Sequence, residues 1–402
     1  MPSMIDSFPP PSEAQVTLAN WRVSPFNKWG FQHVREIVAS ADIPNDPDNS
    51  WRLPSANADL STLAIDDGMG GRIGLNDFLA RTQTDAFVVV HSGQVICEHY
   101  ANGMGPATPH ILMSVSKSML GLLAGNLIAH GVIDPAAPAE HYVPELRGSA
   151  FQGATLRQLL DMRSALTFDE NYLATGGPIV QYRKATNWNP LSPGDVLTDQ
   201  RAFLRTLVET SGQHGGAFNY VSPCTDLLGW IIERAAGQRY ADLFSERIWR
   251  PLGAAYPCYI TVDRLGAPRC AGGMCMTAMD LARVGQLLVG DGRLMKKQIV
   301  PNDWIDDIAA AGDPGAWRAG PFVQFFPGRE MHYRAKWYVE RDKNPILSGF
   351  GIHGQHLFVD RARKIVVVKF SSQALPLDGD AIRMTYRAVD ALREMLSGSD
   401  AG

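Results

Sequence analysis

The sequence predicts an α+β fold in which an antiparallel sheet is flanked by helices and joined to a mostly helical domain. Strand-like runs lie near both ends of the chain, helical patterns fill its middle, and consecutive strands are separated by short turns. A chain of 402 residues with 45% hydrophobic content can bury more than one core. We therefore predict a discontinuous sheet domain, residues 1–130 and 260–402, a helical domain, residues 131–259, and an active site between them.

Two β-hairpins are predicted from paired runs of β-branched and aromatic residues. The first spans Ala86–Tyr100 and turns at Ser92-Gly93. The second spans His356–Ser372 and turns within residues 360–363. Together they supply the central strands of the sheet from opposite ends of the chain.

Apolar residues at helical spacing predict five helices, and the one at Ser114–His130 is expected to be amphipathic and centrally buried. The region of residues 171–195 is rich in Gly, Pro and Asn and is predicted to be a long, ordered loop. The other four helices are expected at Thr155–Leu166, Cys224–Gln238 (entered at Thr225/Asp226), Met276–Gly292 and Asp380–Gly398.

Composition argues against several classes of partner. The net charge is −4 and no dense basic run occurs, so neither nucleic acid nor an anionic membrane is expected as a partner. Residues 1–15 predict an extended Pro-rich arm and not a signal peptide, and the longest apolar stretch, Met119–Ala129, is too short to span a bilayer. A soluble cytoplasmic protein is expected.

The five cysteines are predicted to be buried free thiols. Their number is odd, their spacing is irregular, and neither C-x-x-C nor H-E-x-x-H occurs in the sequence. We therefore expect no metal site and no cofactor.

Ser114 and Lys117 form the most informative pair. A separation of three places both side chains on one helix face, with Ser114 in the first turn, where free N–H groups favour a developing oxyanion. A desolvated lysine has a lowered pKa and can accept the serine proton. An ordinary serine cap followed by a solvated lysine is the alternative, but Lys117 lies among residues that look deeply buried.

The flanking segment "LMSVSKSMLG" resembles the nucleophile motif of the serine β-lactamase-like superfamily, which includes class C β-lactamases, D-Ala-D-Ala carboxypeptidases and family VIII carboxylesterases. The resemblance runs from about Thr84 to Ser372 through "TLRQLLDMRSAL", "FNYVSPCTDLLGWIIERAAGQ" and "AGGMCMTAMDLARVGQLL". Within the superfamily the chain is most similar to the 6-aminohexanoate-dimer hydrolases, as "DENY", "NWNP" and "SGFGIHGQHLFVD" indicate.

This resemblance implies roles for several residues. Ser114 would be the nucleophile and Lys117 its base, while Tyr220, in the Tyr-x-Asn position, would relay a proton to the leaving group. Gly349-Phe350-Gly351 replaces the Lys-Thr-Gly motif, whose lysine helps hold a β-lactam carboxylate, so efficient β-lactam hydrolysis is not expected. Ile352, after Gly351, would supply one N–H of the oxyanion hole and Ser114 the other.

The resemblance also implies substrate contacts. Tyr172 would hold the amide and Trp188 would close over it, although both could simply anchor the loop. The related amidases carry an acid in this loop that binds the substrate amino group, whereas residues 181–184 are neutral or basic here; Arg183 or Lys184 could prefer a carboxylate instead. His353 is interpreted as a packing residue beside the substrate strand rather than a catalytic base, because no G-x-S-x-G elbow exists.

The sequence therefore predicts a serine hydrolase that cleaves small linear amides and short-chain esters, with a small-molecule substrate and a possible homodimer. Three alternatives stay open: a carboxylesterase without useful amidase activity, a penicillin-binding or acyl-accepting protein with little turnover, and a non-catalytic scaffold.

Overall fold

The computed structural model describes Met4, residues 8–56 and residues 58–399. The strands of this part of the chain are β1 (Ser40–Ile43), β2 (Ile65–Asp66), β3 (Arg72–Ile73), β4 (Thr84–His91), β5 (Gln94–Tyr100), β6 (His110–Ile111), β7 (Cys258–Thr261), β8 (Met274–Met276), β9 (Arg293–Leu294), β10 (Lys297–Gln298), β11 (Met331–Arg334), β12 (Trp337–Glu340), β13 (Ile346–Gly351), β14 (Gln355–Asp360) and β15 (Ile365–Ser371).

The α-helices of the same residues are α1 (Asn27–Gly30), α2 (Leu75–Arg81), α3 (Val115–Ala129), α4 (Ala139–Tyr142), α5 (Leu156–Leu160), α6 (Pro178–Ala185), α7 (Gln200–Thr206), α8 (Pro223–Ala236), α9 (Tyr240–Phe244), α10 (Ala278–Val289), α11 (Asn302–Ala310), α12 (Pro314–Arg318) and α13 (Gly379–Ser399). Among the described residues, no helix is long and apolar enough to cross a bilayer.

The central sheet is antiparallel and has seven strands in the order β11-β12-β13-β14-β15-β4-β5. Both predicted hairpins are confirmed, and β15 pairs with β4 so that the two ends of the chain share one sheet. A smaller sheet has the order β1-β7-β8-β6. Along the chain, helices α4–α9 separate strands β1–β6 from strands β7–β15, in agreement with the predicted α+β fold class.

Helices cover both faces of the central sheet. Gly349 faces Val115 and Ser118 of α3, while its neighbour Ser348 lies 3.4 Å from the Tyr386 hydroxyl of α13. Because successive strand residues point to opposite faces, α3 and α13 lie on opposite sides. Two-sided coverage explains why β4 and β15 are almost continuously apolar and buried.

Helix α3 differs from the prediction. It was expected to be amphipathic, yet every residue from Val115 to Leu127 is buried, so no solvated face exists. Two glycines make this possible: a Cβ on Gly121 would lie 2.1 Å from the Ala335 carbonyl oxygen, and one on Gly125 would lie 2.3 Å from Trp304. The helix that follows Ser114 therefore packs against neighbouring backbone at Gly121 and against an indole ring at Gly125.

Two predicted helix boundaries and the predicted loop differ from the structure. The helix expected to Leu166 ends at Leu160, because the Asp161 carboxylate accepts hydrogen bonds from the Ala335 N–H and the Arg334 guanidinium and Met162 has a φ of 53°. The long loop contains α6, which begins at a proline and buries several of its apolar side chains. Helix α8 begins at Pro223, before the predicted entry.

The remaining expectations concern the arm and the thiols. Residues 1–3 and 5–7 of the predicted arm lie outside the described residues, and Ser12–Ala14 forms a 3-10 turn. All five cysteines are free as predicted, and four of them are buried, whereas Cys97 is partly exposed.

Candidate active site

The first turn of α3 brings Ser114 and Lys117 together. Lys117 Nζ lies 2.9 Å from Ser114 Oγ and donates a second hydrogen bond to the Ala271 carbonyl, at 2.6 Å. Ser114 follows Met113, whose φ of 46° places a side-chain-bearing residue in the left-handed region. Such strain persists where the surrounding structure enforces it, and here it sets the entry of the chain into α3.

The environment of Lys117 favours its neutral form. Its side chain is 1% exposed, and burial lowers the pKa of Lys117 from its ordinary 10.5 to about 7. The negative charge of Glu170 opposes this shift, whereas the positive charges of Arg269 and Lys336 reinforce it. At neutral pH a large fraction of Lys117 therefore has a free lone pair beside a serine hydroxyl.

Tyr220 completes the group of three predicted residues. It precedes α8, its ring centroid lies 4.9 Å from Lys117 Nζ, and it stacks on Phe322 at 4.8 Å. Burial raises the pKa of Tyr220, and the neighbouring hydroxyls of Ser114 and Tyr338 partly offset the rise. The phenol is therefore protonated at neutral pH and can donate a proton near Ser114.

Glu170 connects the loop before α6 to the start of α8. Its Oε1 accepts a hydrogen bond from the Tyr172 hydroxyl at 3.1 Å, and its Oε2 accepts one from the Ser222 N–H at 2.7 Å. The Ser222 hydroxyl also donates to this carboxylate. Glu170 thus fixes Tyr172 against the segment that carries Tyr220.

The residue whose carbonyl binds Lys117 is itself held, through its N–H, by a buried ion pair. Asp226, on α8, accepts a hydrogen bond from the Ala271 N–H at 2.8 Å and pairs with Arg269 and the Tyr182 hydroxyl. Ala271 therefore connects Asp226, through its N–H, to Lys117, through its carbonyl.

Strand β13 lies against the start of α3. A Cβ on Gly351 would lie 2.6 Å from the Leu112 carbonyl oxygen, so glycine permits this close approach. Ile352 follows directly and lines the same cleft as Ser114, and the chain turns at His353, with a φ of 61°. The two residues whose N–H groups were predicted to bind an oxyanion are thereby brought to one cleft.

Residues 75–392 match the beta-lactamase family. The chain belongs to the beta-lactamase family. The matched range contains Ser114, Lys117, Tyr220 and Ile352.

Two relatives of this beta-lactamase family member match it over nearly its whole length. It is 34% identical to the 6-aminohexanoate-dimer hydrolase of Paenarthrobacter ureafaciens over 392 residues, which cover 96% of this chain and 97% of that one. A Bacillus anthracis protein assigned as a 6-aminohexanoate-dimer hydrolase superposes with a TM-score of 0.88 at 30% identity, covering 96% of this chain and 99% of the other. These similarities confirm the predicted fold class and the predicted resemblance.

A more distant structure shares the fold alone. EstCE1, a hydrolase with promiscuous acyltransferase activity, superposes with a TM-score of 0.62 at 18% identity, covering 79% of this chain and 96% of that one.

The other predicted side chains of this beta-lactamase family member also lie around the cleft. Tyr172 lines it between Ser114 and the solvent. Trp188 is 4% exposed, donates from its Nε1 to the Thr261 hydroxyl at 3.0 Å and packs edge-on against Trp21. It lines the cleft as an anchored residue, and these contacts agree with the loop-anchor interpretation.

The remaining predicted residues divide into two groups. His353 Nδ1 donates to the Gln373 carbonyl at 2.7 Å, and burial lowers the pKa of His353 to about 4, in agreement with a packing role. Arg183 lines the cleft, whereas Lys184 pairs with Asp195 at 2.6 Å and does not line it.

Sequence reasoning missed Glu170, Asp226 and Arg269. Glu170 stands in the quoted "DENY" segment, but its partner Ser222 is 52 residues away along the chain. Asp226 and Arg269 are 43 residues apart, and neither position carries a local pattern that indicates pairing. Long-range hydrogen bonds of this kind leave no periodic signal in one sequence.

Proposed function

We propose that this protein is a serine hydrolase that cleaves amide bonds of small linear amides and short-chain carboxylic esters through an acyl-enzyme on Ser114. The observation that carries the proposal is the 2.9 Å contact between Ser114 Oγ and Lys117 Nζ, combined with a Lys117 pKa near 7. A neutral amine at this distance is a competent general base.

In the first half of the reaction, Lys117 takes the Ser114 proton while Oγ forms a bond to the substrate carbonyl carbon. The N–H groups of Ser114 and Ile352 would stabilise the resulting oxyanion. The bond to the leaving group then breaks, and Tyr220 delivers a proton to the departing nitrogen or oxygen while Lys117 resupplies the phenol.

In the second half, a water molecule attacks the acyl ester and loses its proton through Tyr220 and Lys117. The bond to Ser114 Oγ breaks, the serine recovers its proton, and the carboxylic acid leaves. Every proton is returned within one turnover, and the three side chains need no further reactant.

Amide cleavage is the finer part of the proposal. The supporting evidence is the similarity to the 6-aminohexanoate-dimer hydrolase over 96% of the chain, together with the buried, protonated Tyr220 near Ser114. Amines leave poorly unless they are protonated, so a positioned phenol matters more for amides than for activated esters.

The test is hydrolysis of the linear 6-aminohexanoate dimer, followed by amine release, beside p-nitrophenyl butyrate. Wild type is compared with Ser114→Ala and with Ser50→Ala, an exposed control. Cleavage of both substrates that is lost only in Ser114→Ala supports the proposal. Ester cleavage without dimer cleavage would contradict activity on this amino-terminated amide and leave the ester part of the proposal, and one burst of nitrophenol without steady turnover indicates an acyl-accepting protein. No reaction with either substrate in a folded protein would contradict the catalytic role.

A further inference from the structure

Two arginines reach the cleft from separate parts of the chain. Arg22 comes from the N-terminal segment and Arg183 from α6, and both line the pocket that contains Ser114. The same pair lines the wider groove that opens from it to solvent, with a volume of about 1040 Å³ including its mouth. The described residues that line this groove include no aspartate or glutamate.

The partners that the structure gives these two guanidinium groups are neutral. Arg183 Nη2 donates to the Tyr172 carbonyl at 2.9 Å, and Arg22 Nη2 donates to the Asn189 side-chain oxygen. Arg22 Nε is buried without a hydrogen-bond partner among the described residues. Guanidinium groups that share a cleft normally have carboxylate or phosphate partners, because each offers a fork of donors that fits such anions.

The positive potential of the groove helps to lower the pKa values of two residues that line it. Loss of hydration, together with the charges of Arg183 and Arg269, lowers the pKa of Arg22 to about 9. Burial, together with the charges of Arg22 and Arg183, lowers the pKa of His353 to about 4 and keeps it neutral at pH 7. The acid of the inner pocket, Glu170, acts electrostatically on Arg183, but its hydrogen bonds go to Tyr172 and Ser222. Asp226 pairs with Arg269, so one positive charge of Arg22, Arg183 and Arg269 is left without a balancing acid. An anionic ligand would therefore complete the charge balance of this groove.

The position of Tyr220 indicates which half of the substrate meets the arginines. Tyr220 lies with Ser114 in an apolar pocket formed by Phe322, Phe350 and Leu377, and it lines neither pocket that contains Arg22 and Arg183. Since Tyr220 is the proposed proton donor to the leaving group, that group lies on the apolar side. The acyl chain then extends from Ser114 to the opposite side.

We propose that Arg22 and Arg183 form a carboxylate-binding subsite for the far end of the acyl chain, so that the preferred substrates are monoamides or monoesters of linear dicarboxylic acids. This specificity rests on the proposed function of Ser114. Hydrolysis adds one water, releases the free dicarboxylic acid and frees the amine or alcohol.

The experiment compares p-nitrophenyl esters that share a chain length and differ at the far end. Mono-p-nitrophenyl adipate carries a carboxylate, p-nitrophenyl hexanoate is neutral, and p-nitrophenyl 6-aminohexanoate carries an ammonium group. Glutarate and suberate monoesters test the reach of the groove. Wild type is expected to show a kcat/KM for the best monoacid ester at least about tenfold above that for the neutral ester, and salt should reduce this ratio.

Single variants assign the preference to the subsite. In Arg22→Gln and in Arg183→Gln the ratio of kcat/KM for the carboxylate ester to the neutral ester should fall roughly 10- to 100-fold, the usual effect of losing a hydrogen bond to a charged group. Arg22→Glu should move the preference toward the ammonium ester. Arg318→Gln, at a side chain that is 62% exposed, should leave the ratio unchanged.

The outcomes separate this specificity from the catalytic role. Three results would overturn the carboxylate subsite and leave the hydrolase proposal intact. They are equal kcat/KM for the three esters in wild type, a wild-type preference for the ammonium ester, and an unchanged ratio in both glutamine variants. Failure of wild type to hydrolyse any of the esters would overturn the proposed function itself, and the subsite with it. If Arg183→Gln does not fold, Arg22→Gln and Arg22→Glu decide the question, because Arg22 is half-buried in the N-terminal segment.

Discussion

The Glu170 carboxylate accepts a hydrogen bond from the Tyr172 hydroxyl at 3.1 Å and at the same time binds the N–H and hydroxyl of Ser222. It also places a negative charge close enough to Lys117 to raise the pKa of that amine. Glu170 therefore acts as a positioning residue with an electrostatic effect on the proposed base.

Glu170→Gln should lower the plateau of kcat/KM and move the pH profile of kcat/KM to lower pH. Loss of a charge-assisted hydrogen bond to Ser222 should reduce the plateau of kcat/KM about tenfold. Removing the negative charge lowers the pKa of Lys117 further, so the neutral amine forms at lower pH. The measurement is kcat/KM for p-nitrophenyl butyrate against pH. Asp169→Asn, at an exposed neighbour, should leave the profile in place; a Glu170→Gln profile shifted to higher pH would contradict this effect.

The wild-type pH profile should report Lys117 directly. Only the neutral amine accepts the serine proton, so kcat/KM should rise with pH and reach half its maximum near pH 7. Lys369 is a second buried lysine whose pKa is lowered to about 7, and it is not one of the residues that line the cleft. Lys369→Met should retain the same limb, whereas Lys117→Met should abolish activity at every pH. If the rising limb of the pH profile disappears in Lys369→Met, the titrating group is Lys369 and not Lys117, and the prediction is wrong.

Tyr220→Phe should separate amides from activated esters. Without the phenol the amine leaving group lacks its proton donor, and loss of a general acid costs about 10²-fold or more. The p-nitrophenolate ion leaves without a proton, so its release should suffer much less. The comparison is kcat/KM for the 6-aminohexanoate dimer and for p-nitrophenyl butyrate, because kcat/KM reports acylation and excludes the deacylation step in which Tyr220 also takes part. An equal loss for both substrates would mean that Tyr220 serves acylation in another way.

Gly121→Ala should destabilise the protein, opposite to its usual effect. In an exposed helix this change gains roughly 1 kcal/mol, but here the new Cβ would meet the Ala335 carbonyl oxygen at 2.1 Å. Overpacking of this kind costs about 1–3 kcal/mol. Thermal unfolding should show a lower Tm than for wild type. Gly105→Ala, which has only ordinary contacts near the added Cβ, is the control, and a raised Tm in Gly121→Ala would show that α3 is less tightly packed.

Local patterns were sufficient for the hairpins and for the Ser114–Lys117 pair, because turn residues and a separation of three along a helix are properties of short segments. The structure brings Ser114, Lys117 and Tyr220 together as predicted. Helix α3 was misjudged because the sequence does not reveal that a second backbone packs against Gly121. The helix α6 was missed because its tertiary contacts, and not its periodicity, stabilise it.

The site beyond these three residues depends on distant pairs. The Asp226 carboxylate accepts a hydrogen bond from the Ala271 N–H, 45 residues away along the chain, and the Ala271 carbonyl accepts one from Lys117. Glu170 reaches Ser222 in the same manner. Such contacts exist only after the helices and the sheet have assembled, so a single sequence contains no signal for them.

The central claim is a covalent acyl-enzyme on Ser114. The protein is mixed with p-nitrophenyl butyrate, quenched in acid before steady state, digested and mapped by mass spectrometry. A butyryl group on the peptide that contains Ser114, absent in Ser114→Ala, is the predicted result. Continued ester hydrolysis with no adduct, or with the adduct on another residue, would contradict it.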